Sequence, residues 1–307
     1  TLQLAIGVLY AWLAWTSGLR PRPVFATKTT TAKGSSTTKH KSTTTTTQQL
    51  LRRVGIWHAL GHLATTMSLG AGPVSFTHIV KAAEPLFSAA VSVVLLGQVM
   101  PLPVYLTLLP VVGGVGYACL KERSFSWLAF FMAMVANLSF ALRAVLSKVA
   151  LTSAPSSSQL SPPNAYALIT TAGLVTCLPF VILVEGRPAL DSLRTALQQQ
   201  QPSVGMSLIR GVVLSGLYLH LCNEVMFLAL GAVHPITLAV GNTMKRVFVM
   251  MASIVVFRNV ITPQAAVGSA IGMGGVLLYS LTKQFYEKQS QTQQSQTTFR
   301  KQSKSKR

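Results

Sequence analysis

Two apolar stretches, VSFTHIVKAAEPLFSAAVSVVLLG (74–97) and HPITLAVGNTMKRVFVMMASIVVF (234–257), each carry cations near their middle. Lys81 lies in the first stretch, and Lys245 and Arg246 stand side by side in the second. Each stretch is long enough to cross the hydrocarbon core of a bilayer, which takes about 20 apolar residues. Because a cation at that depth costs at least about 2.5 kcal/mol, three of them indicate a site that holds an anion inside a membrane.

The composition of the whole chain agrees with a membrane protein. Of its 307 residues, 50% are hydrophobic and only 10% are charged, whereas globular proteins carry about 25% charged residues. Most of the net charge of +20 comes from residues 20–53 and 283–307. Neither segment interleaves aromatics with base-reading side chains, so we expect contact with anionic lipid headgroups and no binding of nucleic acid.

Residues that could bind a metal or perform covalent chemistry are sparse. Cys119, Cys177 and Cys222 lie far apart in apolar segments and form no CxxC pair, which argues against a disulfide framework and against zinc. The chain has no HExxH, GxSxG or P-loop sequence, and its two membrane carboxylates, Glu84 and Glu224, are in distant segments. We therefore expect no cofactor and no enzymatic activity.

Nine segments are apolar and long enough to span a membrane, which predicts an all-α integral membrane protein. They cover roughly residues 1–19, 54–71, 75–97, 101–120, 125–149, 164–184, 206–230, 234–257 and 263–283. The Thr/Lys-rich insert at 25–50, which follows the first visible helix (1–24), lacks the apolar residues that a core needs and is predicted to be disordered. The basic tail at 285–307 is predicted to be disordered for the same reason.

An internal repeat predicts how these helices are organised. A membrane lysine, a proline and a GGV triplet follow one another twice, at Lys81, Pro101 and 113–115 and again at Lys245, Pro263 and 274–276. The second set is displaced by five helices, and an odd shift inverts the topology. We therefore predict two inverted halves of five helices, with 51–122 completing the first half and 123–284 forming the second. Because the first half shows only four helices, a tenth is expected before residue 1.

Two membrane carboxylates are expected to pair with cations. Glu84 follows Lys81 by three residues on the same helical face and is expected to neutralise or orient a neighbouring cation. Pro85, directly after it, frees a backbone carbonyl and permits a bend. Glu224 has three alternative partners, among which the sequence does not choose: Arg143, Arg210 and His220.

Five stretches of the chain resemble the plastid phosphate translocators, the triose-phosphate/phosphate translocator family of the drug/metabolite transporter superfamily. They are GHLATTMS (61–68), VSFTHIVKAAEPLFS (74–88), NLSFALRAVLSK (137–148), VGNTMKRVFVMMASIVVFR (240–258) and GGVLLYS (274–280). The resemblance extends from residue 1 to about residue 285. It implies ten helices in two inverted repeats, of which this chain has nine. It also implies an antiporter that exchanges phosphorylated C3, C5 or C6 compounds for inorganic phosphate.

The resemblance further assigns residues to the substrate. The phosphate-holding cations fall on Lys81, Lys245 and Arg246, the substrate-contacting histidine on His62, and a pocket-wall phenylalanine and the arginine after it on Phe140 and Arg143. Two departures concern selectivity. Ala64 stands where triose-phosphate members have Thr, and Cys222, in LHLCNE, replaces the second tyrosine of YHLYNQ. Since both changes remove a hydroxyl and volume, we expect a substrate range that includes three-carbon compounds and at least one larger sugar phosphate.

The expected partners are inorganic phosphate, phosphorylated small molecules and membrane lipid, and a homodimer is left open. The Thr and Gln runs, with NE in place of NQ, favour a plastid membrane of the protist, apicomplexan type. One alternative is a nucleotide-sugar or other transporter of the same superfamily. It is disfavoured because a nucleotide base needs stacking aromatics, which the helices of Lys81 and Lys245 largely lack. A second alternative is a truncated homologue that does not transport.

Overall fold

The computed structural model describes residues 2–23, 37–120, 122, 125–152, 161–198, 202–232, 235–257 and 262–305. Within these ranges every regular element is an α-helix, as the composition predicts. The eleven helices are α1 (Leu2–Thr16), α2 (Thr37–Ala71), α3 (Val74–Lys81), α4 (Glu84–Leu96), α5 (Leu102–Leu106), α6 (Leu108–Leu120), α7 (Trp127–Thr152), α8 (Pro162–Gln198), α9 (Pro202–Ala232), α10 (Pro235–Phe257) and α11 (Pro263–Ser305).

Six stretches of the described residues are long and apolar enough to cross a membrane, which makes this a multi-pass membrane protein. They are Val74–Leu96, Leu102–Leu120, Trp127–Ala150, Pro162–Leu183, Ile209–Ala229 and Pro263–Ser290. Each coincides with a predicted span. The other three predicted spans are also helical and correspond to α1, which has 15 residues, to the second part of α2 and to α10.

The span that contains Lys81 consists of two helices with a break between them. α3 ends at Lys81 and α4 begins at Glu84. In the turn between them, the N–H groups of Ala82 and Ala83 bond to carbonyls three residues back, at 3.0 and 3.1 Å, rather than four. Pro85 has no N–H, so it cannot continue the helical bonding of α3. The proline that the sequence identifies as permitting a bend therefore lies at a break between two helices.

Two helices extend into segments that the sequence predicts to be disordered. α2 begins at Thr37, inside the Thr/Lys-rich insert, and α11 continues to Ser305, through most of the basic tail. Neither extension contains glycine or proline, so neither contains a residue that strongly opposes a helix begun in the apolar part. A low apolar content predicts the absence of a core, which is not the same as the end of a helix. The remainder of these two predictions, at 25–36 and 306–307, lies outside the described residues.

The chain divides into two compact units, which are described separately below. Unit 1 comprises Thr1–Leu63 and Leu142–Ala232, and unit 2 comprises Ala64–Ala141 and Val233–Arg307. Each unit takes helices from both predicted sequence halves, because packing rather than order along the chain defines it. α2 and α7 contribute to both units, since a boundary falls within each of them.

Unit 1 holds the end of α1 against α8 and α9. The indole Nε1 of Trp15 donates to Oδ1 of Asn164 at 3.1 Å, and Nδ2 of Asn164 donates to the carbonyl of Pro21 at 3.0 Å. Gly7 lets α1 approach α9 closely, because a Cβ there would lie 2.5 Å from Nδ1 of His220. The segment after α1 is thus fixed by side-chain bonds as well as by packing.

Unit 2 is built around a close crossing of α6 and α11. A Cβ at Gly114 would lie 2.3 Å from the backbone nitrogen of Gly272, and a Cβ at Gly268 would lie 2.7 Å from that of Ala118. These positions run in opposite directions along the two helices, which are therefore antiparallel. Small residues at a membrane helix crossing allow the backbones to approach and pack by dispersion forces.

Candidate anion-binding site

Arg246 of α10 reaches the break between α3 and α4 and bonds to both sides of it. Its Nη2 lies 2.7 Å from Oε2 of Glu84, the first residue of α4. Its Nη1 donates to the backbone carbonyl of Lys81, the last residue of α3. That carbonyl would normally accept the N–H four residues later, but Pro85 stands there and has none to donate. The guanidinium of Arg246 therefore links the end of α3 to the start of α4. Glu84 neutralises a cation, as predicted.

Lys81 directs its ammonium group between α2 and α7. Its Nζ lies 3.1 Å from Oγ1 of Thr65 and 4.4 Å from the centroid of the Phe140 ring. At that distance the ring face attracts the cation electrostatically. The structure thus brings together two residues that the resemblance assigns to the substrate, Lys81 and Phe140, at the same break that Arg246 reaches.

Lys245 has different surroundings from its neighbour Arg246. The side chain of Arg246 is 25% exposed and bonds to the break, whereas Lys245 is exposed. Consecutive residues on a helix do not share a face, which is the physical reason for the difference. The contacts at the break therefore involve Lys81 and Arg246. A role for Lys245 in binding an anion beside them stays a prediction.

The net charge at the α3–α4 break is lower than the three predicted cations alone would give. Arg246 is paired with Glu84 at 2.7 Å, and this is the neutralisation that the sequence predicts for one of the three cations. At the break itself, two cations, Lys81 and Arg246, stand beside one carboxylate, Glu84, which leaves a formal excess of one positive charge.

Arg246 also borders a small cavity within unit 2. Its other lining residues come from α3, the turn after it, α6, α10 and α11: His78, Ile79, Ala82, Val115, Met250, Ser269 and Met273. The lining is mostly apolar, with His78 and Ser269 as its other polar side chains. The cavity therefore adjoins the residue that bonds to both sides of the break.

Unit 1 contains the predicted histidine of the substrate site and a second histidine behind it. Nη1 of Arg143 lies 3.1 Å from Nδ1 of His58, and because a guanidinium only donates, that nitrogen is the acceptor. The buried His58 ring contacts the ring of His62, with centroids 4.5 Å apart and planes at 83°. Arg143 thus orients His58, and His58 supports the half-buried His62.

The two positions expected to affect selectivity differ in exposure. Ala64 is buried, at 3% exposure, within unit 2. Cys222 of α9 is exposed, whereas Cys119 and Cys177 are buried. Cys222 is therefore more accessible to a substrate or a reagent than Ala64 is. A threonine at position 64 would need the surrounding residues to move.

The partner of Glu224 is a residue that sequence reasoning missed. Arg20, which follows α1, forms an ion pair with Oε1 of Glu224 in unit 1, and their side chains are only 13% and 9% exposed. His220, one of the three partners left open, lies 3.5 Å from the other carboxylate oxygen through its Nε2. Of the remaining two, Arg143 is bonded elsewhere and Arg210 is exposed. The sequence did contain a sign of this pair. The predicted spans alternate in direction, so the end of the first span, near Arg20, and the end of the seventh, near Glu224, lie on the same side of the membrane.

A multi-pass helical protein that keeps cations and a carboxylate at a broken membrane helix has the features of a membrane transporter. The model of the Triose-phosphate Transporter family matches residues 1–280, and the chain belongs to this family. Membership confirms the predicted family and the prediction of a transporter rather than an enzyme.

Similar proteins agree with this family. The chain is 39% identical, over 92% of its length, to the chloroplastic triose phosphate/phosphate translocator of Pisum sativum. It is 40% identical over 96% of its length to the protein of the same description from Flaveria trinervia. It is 36% identical over 92% of its length to the chloroplastic glucose-6-phosphate/phosphate translocator 1 of Arabidopsis thaliana. The matches span 64%, 66% and 66% of these relatives, just under two thirds of their length.

Proposed function

We propose that this protein is an antiporter that exchanges phosphorylated C3, C5 or C6 compounds for inorganic phosphate by alternating access. The observation that carries the proposal is the pair of cations at the α3–α4 break, Lys81 and Arg246, beside one carboxylate, Glu84. With Lys245 added, as we propose, the group has an excess of two positive charges over its carboxylate. The names of the similar proteins, which are translocators of triose phosphate, glucose 6-phosphate and phosphate, support the same chemistry.

In the proposed mechanism the phosphoryl group displaces the present partners of Arg246. The guanidinium now bonds to Glu84 and to the carbonyl of Lys81, and its planar fork is equally suited to two phosphate oxygens. The ammonium of Lys81, against Phe140, supplies a second charge, and we place Lys245 as the third cation. A bound dianion would balance the two excess charges, so the loaded site is close to neutral.

For the fold we propose the inverted-repeat architecture with five helices in each half, nine of which lie in this chain. Contacts within the units support the alternating direction of the nine spans. Arg20 and Glu224 join the ends of the first and seventh spans, and Trp15 and Asn164 join the end of the first to the start of the sixth. α6 and α11, the fourth and ninth spans, are antiparallel, as the alternation requires.

We further propose a plastid membrane as the location. The similar proteins are described as chloroplastic, and the Thr and Gln runs favour a protist plastid over that of a land plant. In the membrane, the basic segments at 20–53 and 283–307 would lie near anionic headgroups on one side.

The function is tested by counter-exchange with the purified protein in proteoliposomes. Uptake of labelled phosphate is measured against an internal panel of triose, pentose and hexose phosphates, phosphoenolpyruvate and a nucleotide sugar. We expect uptake to depend on an internal phosphorylated compound of three to six carbons. Uptake driven by the nucleotide sugar alone would support the alternative transporter class, and no uptake with any internal compound would support the non-transporting homologue.

Cys222 offers a direct prediction about substrate contact. If its thiol meets the organic part of the substrate, a charged methanethiosulfonate reagent should inactivate exchange, and triose phosphate present during labelling should protect. Cys222→Ser should resist the reagent, because the other two cysteines are buried. Labelling that proceeds at the same rate with and without substrate would contradict the assignment of Cys222.

A further inference from the structure

A second side chain holds the helix break in unit 2, and the proposed anion site does not use it. Nδ2 of Asn137, on α7, donates to the backbone carbonyl of Val80 at 3.0 Å, and Asn137 is fully buried. The same carbonyl accepts the N–H of Ala83 in the turn between α3 and α4. Val80 directly precedes Lys81, so the amide acts on the backbone next to the residue that carries the ammonium group.

Asn137 and Phe140 belong to one face of α7, because they are three positions apart. Asn137 contacts the backbone at Val80, and the ring of Phe140 lies 4.4 Å from Nζ of Lys81. One helix face therefore contacts both the peptide group that precedes Lys81 and the ammonium group at the end of its side chain. Two fixed points define the direction in which the ammonium group is presented.

Packing of α3 does not require this amide. Ser68 of α2 donates to the carbonyl of Ala129 in α7 at 2.8 Å and accepts from the hydroxyl of Thr77 in α3 at 2.9 Å, so α3 is already attached to α7. The Oδ1 of Asn137 is buried and has no hydrogen-bond partner among the described residues. An unsatisfied buried oxygen is destabilising, so a residue selected for packing alone would be apolar here.

Asn137 and Arg246 hold consecutive carbonyls, those of Val80 and Lys81. The bond from Arg246 is one that an anion can compete for, because the guanidinium is charged and is the group expected to bind phosphate. The bond from Asn137 carries no formal charge, so an anion does not compete for it in the same way. It can therefore keep the end of α3 in shape when Arg246 changes partners.

We propose that Asn137 is a positioning residue for anion binding, which holds the end of α3 so that Lys81 faces the phosphoryl group. The inference rests on the proposed function. It adds a residue that contacts the backbone of the site and not the substrate. Loss of Asn137 should therefore change the phosphate affinity and leave the maximal exchange rate nearly unchanged. A purely structural role would give the opposite pattern, since fewer folded carriers lower only the maximal rate.

The test is the concentration dependence of phosphate exchange by reconstituted Asn137→Leu, normalised to inserted carrier. Leucine has a similar volume and cannot donate to the carbonyl of Val80. We expect the half-saturating phosphate concentration to rise about tenfold, as for loss of one hydrogen bond that orients a charged group, with the maximal rate within about twofold. The matched control is Ser68→Ala, which removes another buried bond to α3 away from the break and should lower thermal stability without raising that concentration.

Two results would overturn the proposal. One is an unchanged half-saturating concentration in Asn137→Leu, and the other is an equal increase in Ser68→Ala, since any loosening of α3 would then have the same effect. If Asn137→Leu does not insert, Asn137→Ser, which is too short to reach the same carbonyl, gives the same comparison. A wild-type carrier that does not exchange phosphate at all would instead refute the proposed function.

Discussion

Replacing Arg246 with glutamine is expected to reduce phosphate exchange by at least about 100-fold, since it removes two charge-assisted hydrogen bonds of about 1.5–3 kcal/mol each. The substitution has a second consequence, because Glu84 loses its ion pair with Arg246 and its negative charge is then less compensated beside an incoming anion. Both effects weaken binding of every phosphorylated compound alike. Exchange measured in proteoliposomes should therefore be lost for phosphate and for the organic substrates together.

The matched control for this variant is Arg52→Gln, which removes an exposed arginine from α2 and should exchange normally. Insertion of both variants is checked by equal recovery in the membrane fraction and equal monodispersity in detergent. Replacing Lys81 or Lys245 with glutamine is expected to abolish exchange as well. Normal exchange by an inserted Arg246→Gln carrier would show that the cations at the break do not bind the substrate.

Replacing Arg20 with methionine is expected to destabilise the protein by about 3–5 kcal/mol, the typical effect of leaving a buried carboxylate without its partner. The side chains of Arg20 and Glu224 are 13% and 9% exposed, so little water is available to solvate the remaining charge. The measurement is thermal or denaturant unfolding in a defined detergent. A clear fall in the transition midpoint is expected even though Arg20 lies outside the spans.

A second substitution separates charge from packing in this experiment. Arg20→Met combined with Glu224→Gln removes both charges, and most of the stability should return because no uncompensated ion remains. Arg52→Met, on the exposed face of α2, should shift stability by no more than about 0.5 kcal/mol. The account of the ion pair fails if Arg20→Met is as stable as Arg52→Met, or if the double variant is no better than the single one.

The apolar segments, the interruption of the helix near Pro85 and the pairing of Glu84 with a cation were all predictable, because each follows from local physical constraints. A span needs a certain length of apolar sequence, and a proline cannot donate the next helical bond. Glu84 lies three residues from Lys81, in one of the two segments that carry the membrane cations, so few other cations are candidates for its partner. The identity of that cation, Arg246 rather than Lys81, depends on which helix packs against the break, and this is not encoded locally.

Long-range partners and helix ends are where sequence reasoning was least informative. Glu224 has several cations within a plausible distance in sequence, and its partner Arg20 is 204 positions away. Lys245 and Arg246 differ in exposure and in partners because of how α10 is rotated about its axis. The sequence of α10 does not reveal this rotation, since the segment is apolar on all sides. α2 and α11 extend beyond their apolar spans, because polarity alone does not end a helix and no glycine or proline interrupts either helix there.

The most direct test of the central claim is whether phosphate crosses the membrane without a counter-substrate. If Lys245 joins Lys81 and Arg246 in the site, as proposed, the empty site has two excess positive charges and is costly to move through a low-dielectric interior, whereas a site that holds a dianion is nearly neutral. Efflux of labelled phosphate from loaded proteoliposomes is compared with and without external phosphate or triose phosphate. The account predicts rapid efflux with a counter-substrate and little above the protein-free background without one. Efflux at similar rates under both conditions would contradict it.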